Sequence, residues 1–147
     1  MRWYAFILYP FALLYDLVTS LRNLFFDLGW KKSQKSPIFT LVVGNLSIGG
    51  TGKTPMVEFL IRLLQSNFKL GILSRGYGRK TKGYLVANAG SGPSEIGDEP
   101  FQIYQKFKTD IPVVVGEDRV SAIDKIEAGE SAPNLLILDD AYQHRYI

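Results

Sequence analysis

The chain opens on its most apolar stretch, MRWYAFILYPFALLYDLVTSLRNLFFDLGWKK. Polar or amphipathic residues recur there at Arg2, Tyr9, Asp16, Ser20, Asn23, Asp27 and Lys31. Steps of seven, four and three draw one narrow polar stripe on a helix of 3.6 residues per turn. Arg22 lies off the stripe, and Pro10 is expected to kink the helix or divide it in two. Beyond residue 35 the pattern changes to short apolar runs alternating with helical periods. SPIFTLVV (36–43), KLGILS (69–74), IPVVVG (111–116) and NLLILDD (134–140) read as buried strands. YLVANA (84–89) reads as a weaker strand, and GSGPSEIG after it as a loop. KTPMVEFLIRLLQS (53–66), DEPFQIYQKFK (98–108) and DRVSAIDKIEAG (118–129) read as helices. Pro55 falls in a first turn, acids open the second helix, and glycine closes the third.

Apolar strands alternating with helices predict an α/β fold, a parallel sheet covered by helices on both faces. Ligands in such folds gather at the carboxyl ends of the strands. The glycine-rich and charged segments fall there: Gly44–Thr54, Ser74–Gly78 and Asp139–Asp140. Two parts are expected, an N-terminal helix over residues 1–32 and an α/β domain over residues 36–147.

Composition narrows this reading only a little. A chain of 147 residues with 46% hydrophobic and 21% charged positions can bury a core of its own. There are no cysteines, which removes disulfides, thiolate metal sites and cysteine nucleophiles. A net charge of +3 is too weak to point to nucleic acid, and none is expected as a partner. The longest uncharged N-terminal run, Trp3 to Tyr15, is thirteen residues. Spanning a bilayer takes about 20. Trp3, Tyr4, Tyr9, Tyr15 and Trp30, followed by Lys31, Lys32 and Lys35, suit a helix lying in a membrane interface. Burial of that helix against the domain is the competing structural reading.

The candidate chemistry begins with GNLSIGGTGKTP (44–55). It follows the phosphate-binding P-loop pattern, except that Ser47 stands where the first glycine belongs. Gly49, Gly50 and Gly52 leave the backbone bare so that N–H groups can turn toward an anion. Lys53 supplies charge for the terminal phosphates, and Thr54 a hydroxyl for Mg²⁺. Ser47, Ile48 and Thr51 complete the loop, and Asn45 adds turn capacity. A strand before and a helix after are what such a loop requires. An apolar strand ending in Asp139 and Asp140 is where P-loop proteins place the metal-binding carboxylate.

Three further segments bear on what receives the phosphate. Asp98, in GDEP, can orient or deprotonate a substrate hydroxyl, or serve only as an acid at a helix start. SRGYGR (74–79) sets Arg75, Tyr77 and Arg79 on a glycine-hinged loop, suited to a phosphate or sugar or else a solvated basic loop. His144, the only histidine, follows the aspartates within DDAYQHR.

VGNLSIGGTGKTP, SRGYGR, GDEP and LDDAYQHR, in this order, resemble the lipid A 4′-kinase family, the tetraacyldisaccharide 4′-kinases. The motifs run from about residue 40 to residue 145, and the apolar N-terminal helix is similar too. The resemblance implies MgATP-dependent phosphorylation of the 4′-hydroxyl of a tetraacyl-disaccharide 1-phosphate. The expected place is the cytoplasmic face of the bacterial inner membrane. It implies that Asp98 is the catalytic base, with Lys53 and Thr54 serving phosphates and metal. It places Asn45, Arg75, Tyr77, Arg119, Gln143 and His144 toward the lipid headgroup or the cleft. Two departures stand out. DDGFQHR in the family reads DDAYQHR here. Family members are also about twice as long, with a further lobe whose histidine partners the catalytic aspartate. Without that lobe, nucleotide binding with little transfer is expected. The competing readings are a membrane-associated P-loop ATPase acting as a partner switch, and a lobe that folds and anchors without chemistry.

Overall fold

The computed structural model describes residues 4–30, 35–44 and 52–141. The chain divides into two compact units, residues 1–34 and 35–145.

The first unit is one helix, α1, Tyr4–Asp27. It runs unbroken through Pro10, so the expected division does not occur. Proline costs a helix one i→i−4 bond, and apolar helix formers on both sides carry the helix past it. Leu8, Phe11, Leu14, Tyr15, Leu17, Val18, Leu21 and Leu24 are all exposed. Among the described residues no helix is long and apolar enough to cross a membrane.

The second unit is built on a five-stranded sheet. Its strands are β1 (Phe39–Val43), β2 (Leu70–Ser74), β3 (Leu85–Val86), β4 (Val113–Val115) and β5 (Leu135–Asp139). They stand in the order β1-β5-β2-β4-β3. Four pair in parallel. β3 runs antiparallel to β4, with Leu85 opposite Val115 and Val86 opposite Val114. The strand expected over 84–89 thus shrinks to two residues, and the sheet is not wholly parallel. The helices are α2 (Lys53–Leu64), α3 (Pro93–Ile96), α4 (Asp98–Phe107) and α5 (Arg119–Glu127). α3 lies in a stretch expected to be loop. Pro93 opens it, and Gly92 N donates 2.9 Å to Glu95 Oε2, so one orphan donor of the short turn is met.

Strand alternation sorts the core into two layers. Leu135 and Ile137 of β5 join Val43, Ile72, Val113, Val57 and Ile61 of α2, and Ile103 of α4. Leu136 and Leu138 face the other way, with Leu73, Val114 and Ala122, Ile123 and Ile126 of α5. Helices therefore cover both faces, which is why β2 and β5 are buried at every position. Asp118 caps α5 by accepting from Ser121 N at 3.2 Å.

Candidate active site

The sheet delivers its chemistry at one end. In register, Val43 at the end of β1 pairs with Asp139 at the end of β5. Ser74 at the end of β2 reaches the same carboxylate, its Oγ donating to Asp139 Oδ2 at 3.4 Å. The chain then turns sharply. Asp140 adopts φ +55°, a left-handed conformation that aspartate tolerates better than most residues. Its N–H donates 2.9 Å to Val43 O. The turn aims the Asp140 carboxylate at Lys53, whose Nζ lies 2.7 Å from Oδ1. Lys53 is the first residue of α2, and Gly52 before it holds φ +79°, a left-handed turn. The Asp140 hydrogen bond, with the charges of Glu99 and Asp139, raises the lysine pKa against the opposing effect of burial.

Asp139 is 2% exposed, and among the described residues its Oδ1 has no hydrogen-bond partner. Burial, then the nearby charges of Glu99 and Asp140, push its pKa up to about 6. A buried carboxylate with a free oxygen is a natural partner for a hard cation. Among the described residues no group of three or more His, Cys, Asp or Glu is placed to hold a metal ion. Thr54 is half-buried in the first turn of α2.

A cleft of about 330 Å³ opens beside the pair, lined by Lys53, Tyr77, Asp98, Glu99 and Asp140. Asp98 and Glu99 are the first two residues of α4. Their position depends on a close approach of two glycine turns. Gly97 has φ +93°, and a Cβ there would stand 3.0 Å from Tyr77 O and 3.1 Å from Gly76 Cα. Gly76, at φ +70°, would put a Cβ 2.8 Å from Ile96 O. SRGYGR and GDEP are thus packed backbone to backbone, which brings Tyr77, 87% exposed, to the mouth of the cleft beside Asp98.

The cleft brings together four residues that the sequence singles out: Lys53, Tyr77, Asp98 and Asp140. Glu99 is the residue the sequence reading missed. The signal was present, a second acid directly after Asp98 at a helix start. Arg75 is exposed. Arg79 turns inward instead, its Nη2 donating 2.6 Å to both Gly83 O and Glu117 Oε1. Arg119, expected near the headgroup or the cleft, is 2% exposed and does not line the cleft. Its guanidinium donates to Gly116 O and, at 3.3 Å, to Asp139 O, tying the β4–α5 turn to the end of β5. Burial and the charge of Arg75 lower its pKa. Asn45, Ser47, Ile48, Gly49, Gly50, Thr51, Gln143 and His144 lie outside the described residues.

Fold and site together define an α/β domain of the P-loop type. The family model described as tetraacyldisaccharide-1-P 4′-kinase, LpxK, matches residues 4–147, and the chain belongs to that family. The tetraacyldisaccharide 4′-kinase of Flavobacterium psychrophilum is 49% identical over 140 residues, covering 95% of this chain and 40% of that protein. That of Phocaeicola vulgatus is 48% identical over 142 residues, covering 95% and 38%. The crystal structure of LpxK from Aquifex aeolicus in complex with ATP superposes with a TM-score of 0.81. It is 40% identical, and the match covers 95% of this chain and 44% of that one. The chain therefore spans about two-fifths of the length of these relatives.

Proposed function

We propose that this chain is the nucleotide-binding part of a lipid-sugar kinase. The whole enzyme transfers the γ-phosphoryl group of ATP to the 4′-hydroxyl of a tetraacyl-disaccharide 1-phosphate. One observation carries the reading: Asp98 and the Lys53–Asp140 pair line the same cleft. A carboxylate in the same cleft as the phosphate lysine suits a kinase, because the acceptor hydroxyl must lose its proton. In a P-loop protein that only hydrolyses ATP as a partner switch it could serve water instead, and the transfer assay separates the two.

In this reading residues 47–54 wrap the nucleotide phosphates, with Lys53 neutralising charge on the transferred group. Thr54, Asp139 and Asp140 hold Mg²⁺, which offsets phosphate charge when bound. Asp98 accepts the proton of the 4′-hydroxyl. The oxygen forms its bond to the γ-phosphorus, the bond to the β–γ bridging oxygen breaks, and ADP leaves. Arg75, Tyr77, Gln143 and His144 contact the headgroup, with Asn45 beside the loop. Arg119 acts behind the site, holding the main chain of Asp139 in place. Residues 1–32 anchor the enzyme to the cytoplasmic face of the inner membrane, and residues 36–147 form the nucleotide-binding domain. The lobe that completes transfer belongs to the rest of the family-length polypeptide.

The test compares MgATP binding and phosphate transfer to the tetraacyl-disaccharide 1-phosphate in mixed micelles. It uses this chain and a family-length protein containing it. Asp98→Ala should abolish transfer by the long protein, by about a thousandfold or more, while MgATP affinity stays within a few fold. If the long protein hydrolyses ATP without labelling lipid and Asp98→Ala changes nothing, the kinase reading fails.

A further inference from the structure

Residues 75–83 have no helix or strand of their own. Gly76, Gly78 and Gly83 sit there at φ +70°, +77° and +79°. Such glycines make tight turns possible, but they have the most conformational freedom to lose when the loop is held in one shape. The loop is pinned from outside. Lys80 N donates 2.7 Å to Ser94 O, and Thr81 Oγ1 donates to Glu95 O. The third tie is ionic. Arg79 Nη2 donates 2.6 Å to Glu117 Oε1, in the turn between β4 and α5. The other carboxylate oxygen, Oε2, accepts from Gly83 N at 2.9 Å.

Stability alone does not account for this pair. The Arg79 side chain is 2% exposed, and among the described residues its Nε and Nη1 have no hydrogen-bond partner. A guanidinium taken out of water with part of its donors unmet is a poor source of stability, and apolar side chains of similar size often fold as well or better. What the pair adds is direction. A Cβ on Gly76 would stand 2.7 Å from Arg79 Cδ and 3.1 Å from its Nε, so the buried stem lies directly against Gly76. Gly76 also meets Ile96 O and Gly97, and Gly97 leads into Asp98 at the start of α4. Contacts therefore run without a break from Glu117 through Arg79, Gly76 and Gly97 to Asp98. Burial would raise the Glu117 carboxyl, but hydrogen bonds from Arg79, its own backbone and Gly83 hold it below the usual carboxylate range.

We infer that Glu117, acting through Arg79, is a positioning residue for Asp98. The pair presses the Gly76–Tyr77 turn against Gly97 and so sets where the Asp98 carboxylate stands in the cleft. Neither Arg79 nor Glu117 lines that cleft, so both act through the residues between. The activity readout rests on the proposed role of Asp98, and the exchange readout does not. The competing way to fix Asp98 is the packing of α4 through its buried Pro100 and Ile103, and the two give different results.

Three variants of a family-length protein containing this chain test it: Glu117→Ala, Glu117→Gln, and Arg79→Met with Glu117→Met. Glu117→Ala removes both acceptors. It should lower kcat for transfer to the tetraacyl-disaccharide 1-phosphate roughly ten- to a hundredfold, the scale of an ångström's misplacement. MgATP affinity by calorimetry and the lipid KM should stay within a few fold. Glutamine keeps one acceptor oxygen, so Glu117→Gln should lose less. The double methionine variant should keep the parent's urea midpoint yet lose kcat as Glu117→Ala does, which a merely structural pair would not do. In this chain itself, the amides of Gly97 and Phe101 donate to Pro93 O and Gly97 O on either side of Asp98. Their hydrogen–deuterium exchange should quicken roughly tenfold in Glu117→Ala. A parent that transfers no phosphate would sink the kinase reading and leave exchange to decide this one. The inference is overturned if exchange at Gly97 and Phe101 does not change. It is equally overturned if kcat holds in a folded variant, the result expected when α4 packing alone fixes Asp98. Parallel losses of kcat, MgATP affinity and urea midpoint in all three variants would also overturn it, by making the pair a structural tie.

Discussion

At the scale of single residues, the two glycines that flank α3 separate conformational need from mere smallness. Gly97 combines φ +93° with main-chain atoms at 3.0 and 3.1 Å from any Cβ. Gly97→Ala therefore meets strain and collision together and should cost about 1–3 kcal/mol in urea unfolding. Gly92 sits at φ −124° with nothing within 4 Å of a Cβ. Gly92→Ala should stay within about 0.5 kcal/mol, so the pair reports on the Gly76–Gly97 contact and not on glycine content. Asp139 sets the opposite problem, a side chain whose charge burdens the fold it serves. Its buried Oδ1 has no partner among the described residues, and the cost of burying that charge falls on the metal-free protein. Asp139→Asn, measured in EDTA, should melt no lower than the parent, while its MgATP affinity by calorimetry drops roughly tenfold or more. A large fall in melting temperature with MgATP affinity intact would make Asp139 a structural residue.

At the scale of elements, α2 and α4 are joined by one carboxylate. Glu58 accepts 2.5 Å from Lys106 and 3.0 Å from Gln102. The lysine bond holds its carboxyl below the ordinary value, with burial opposing. A depressed carboxylate pKa contributes stability in full above the unfolded value, about 4.3. That contribution fades as pH falls through the lower folded value. Glu58→Gln should thus cost about 0.5–1 kcal/mol at pH 7, and the gap to the parent should narrow as pH falls below the unfolded value of about 4.3 in urea titrations. The elements themselves were largely legible. Five apolar runs became five strands, and α2, α4 and α5 began within a residue of their expected starts, because buried strands and amphipathic helices carry strong periods. β3 was over-read because its ladder with β4 pairs only Leu85 and Val86 in register. α3 was missed because a single turn carries no period. The cleft was legible as motifs at strand ends, yet not its wall, since Glu99 is placed by the Gly97 turn. Nor was the burial of Arg119, because arginine is seldom buried and its carbonyl partners come from Gly116 and Asp139, at the ends of two strands. Strand order, β1-β5-β2-β4-β3, is a long-range property that no local pattern encodes.

At the scale of the whole molecule, the question is what an apolar helix does on a nucleotide-binding domain. α1 has 24 residues, exposes Leu14, Val18 and Leu21 at 57%, 57% and 44%, and is not a spanning helix. A helix of that kind is stable in water only when its apolar surface finds another phase, and we propose a membrane interface for that role, in keeping with the lipid substrate proposed above. The three residues stand at i, i+4 and i+7, one stripe of the helix. Burying such a side chain contributes about 1.5–3 kcal/mol. Replacing all three with glutamate should therefore cut co-sedimentation with vesicles of anionic phospholipid by roughly a hundredfold or more. Salt should weaken binding by the parent only in part, because screening acts on the basic residues and not on apolar burial. The urea midpoint of the sheet-containing unit should stay where it was, since its core is drawn from residues 38–141. Unchanged vesicle binding in the triple variant would remove α1 as the anchor and move membrane contact to the exposed basic loop around Arg75. A shifted midpoint would mean that the helix is part of the fold.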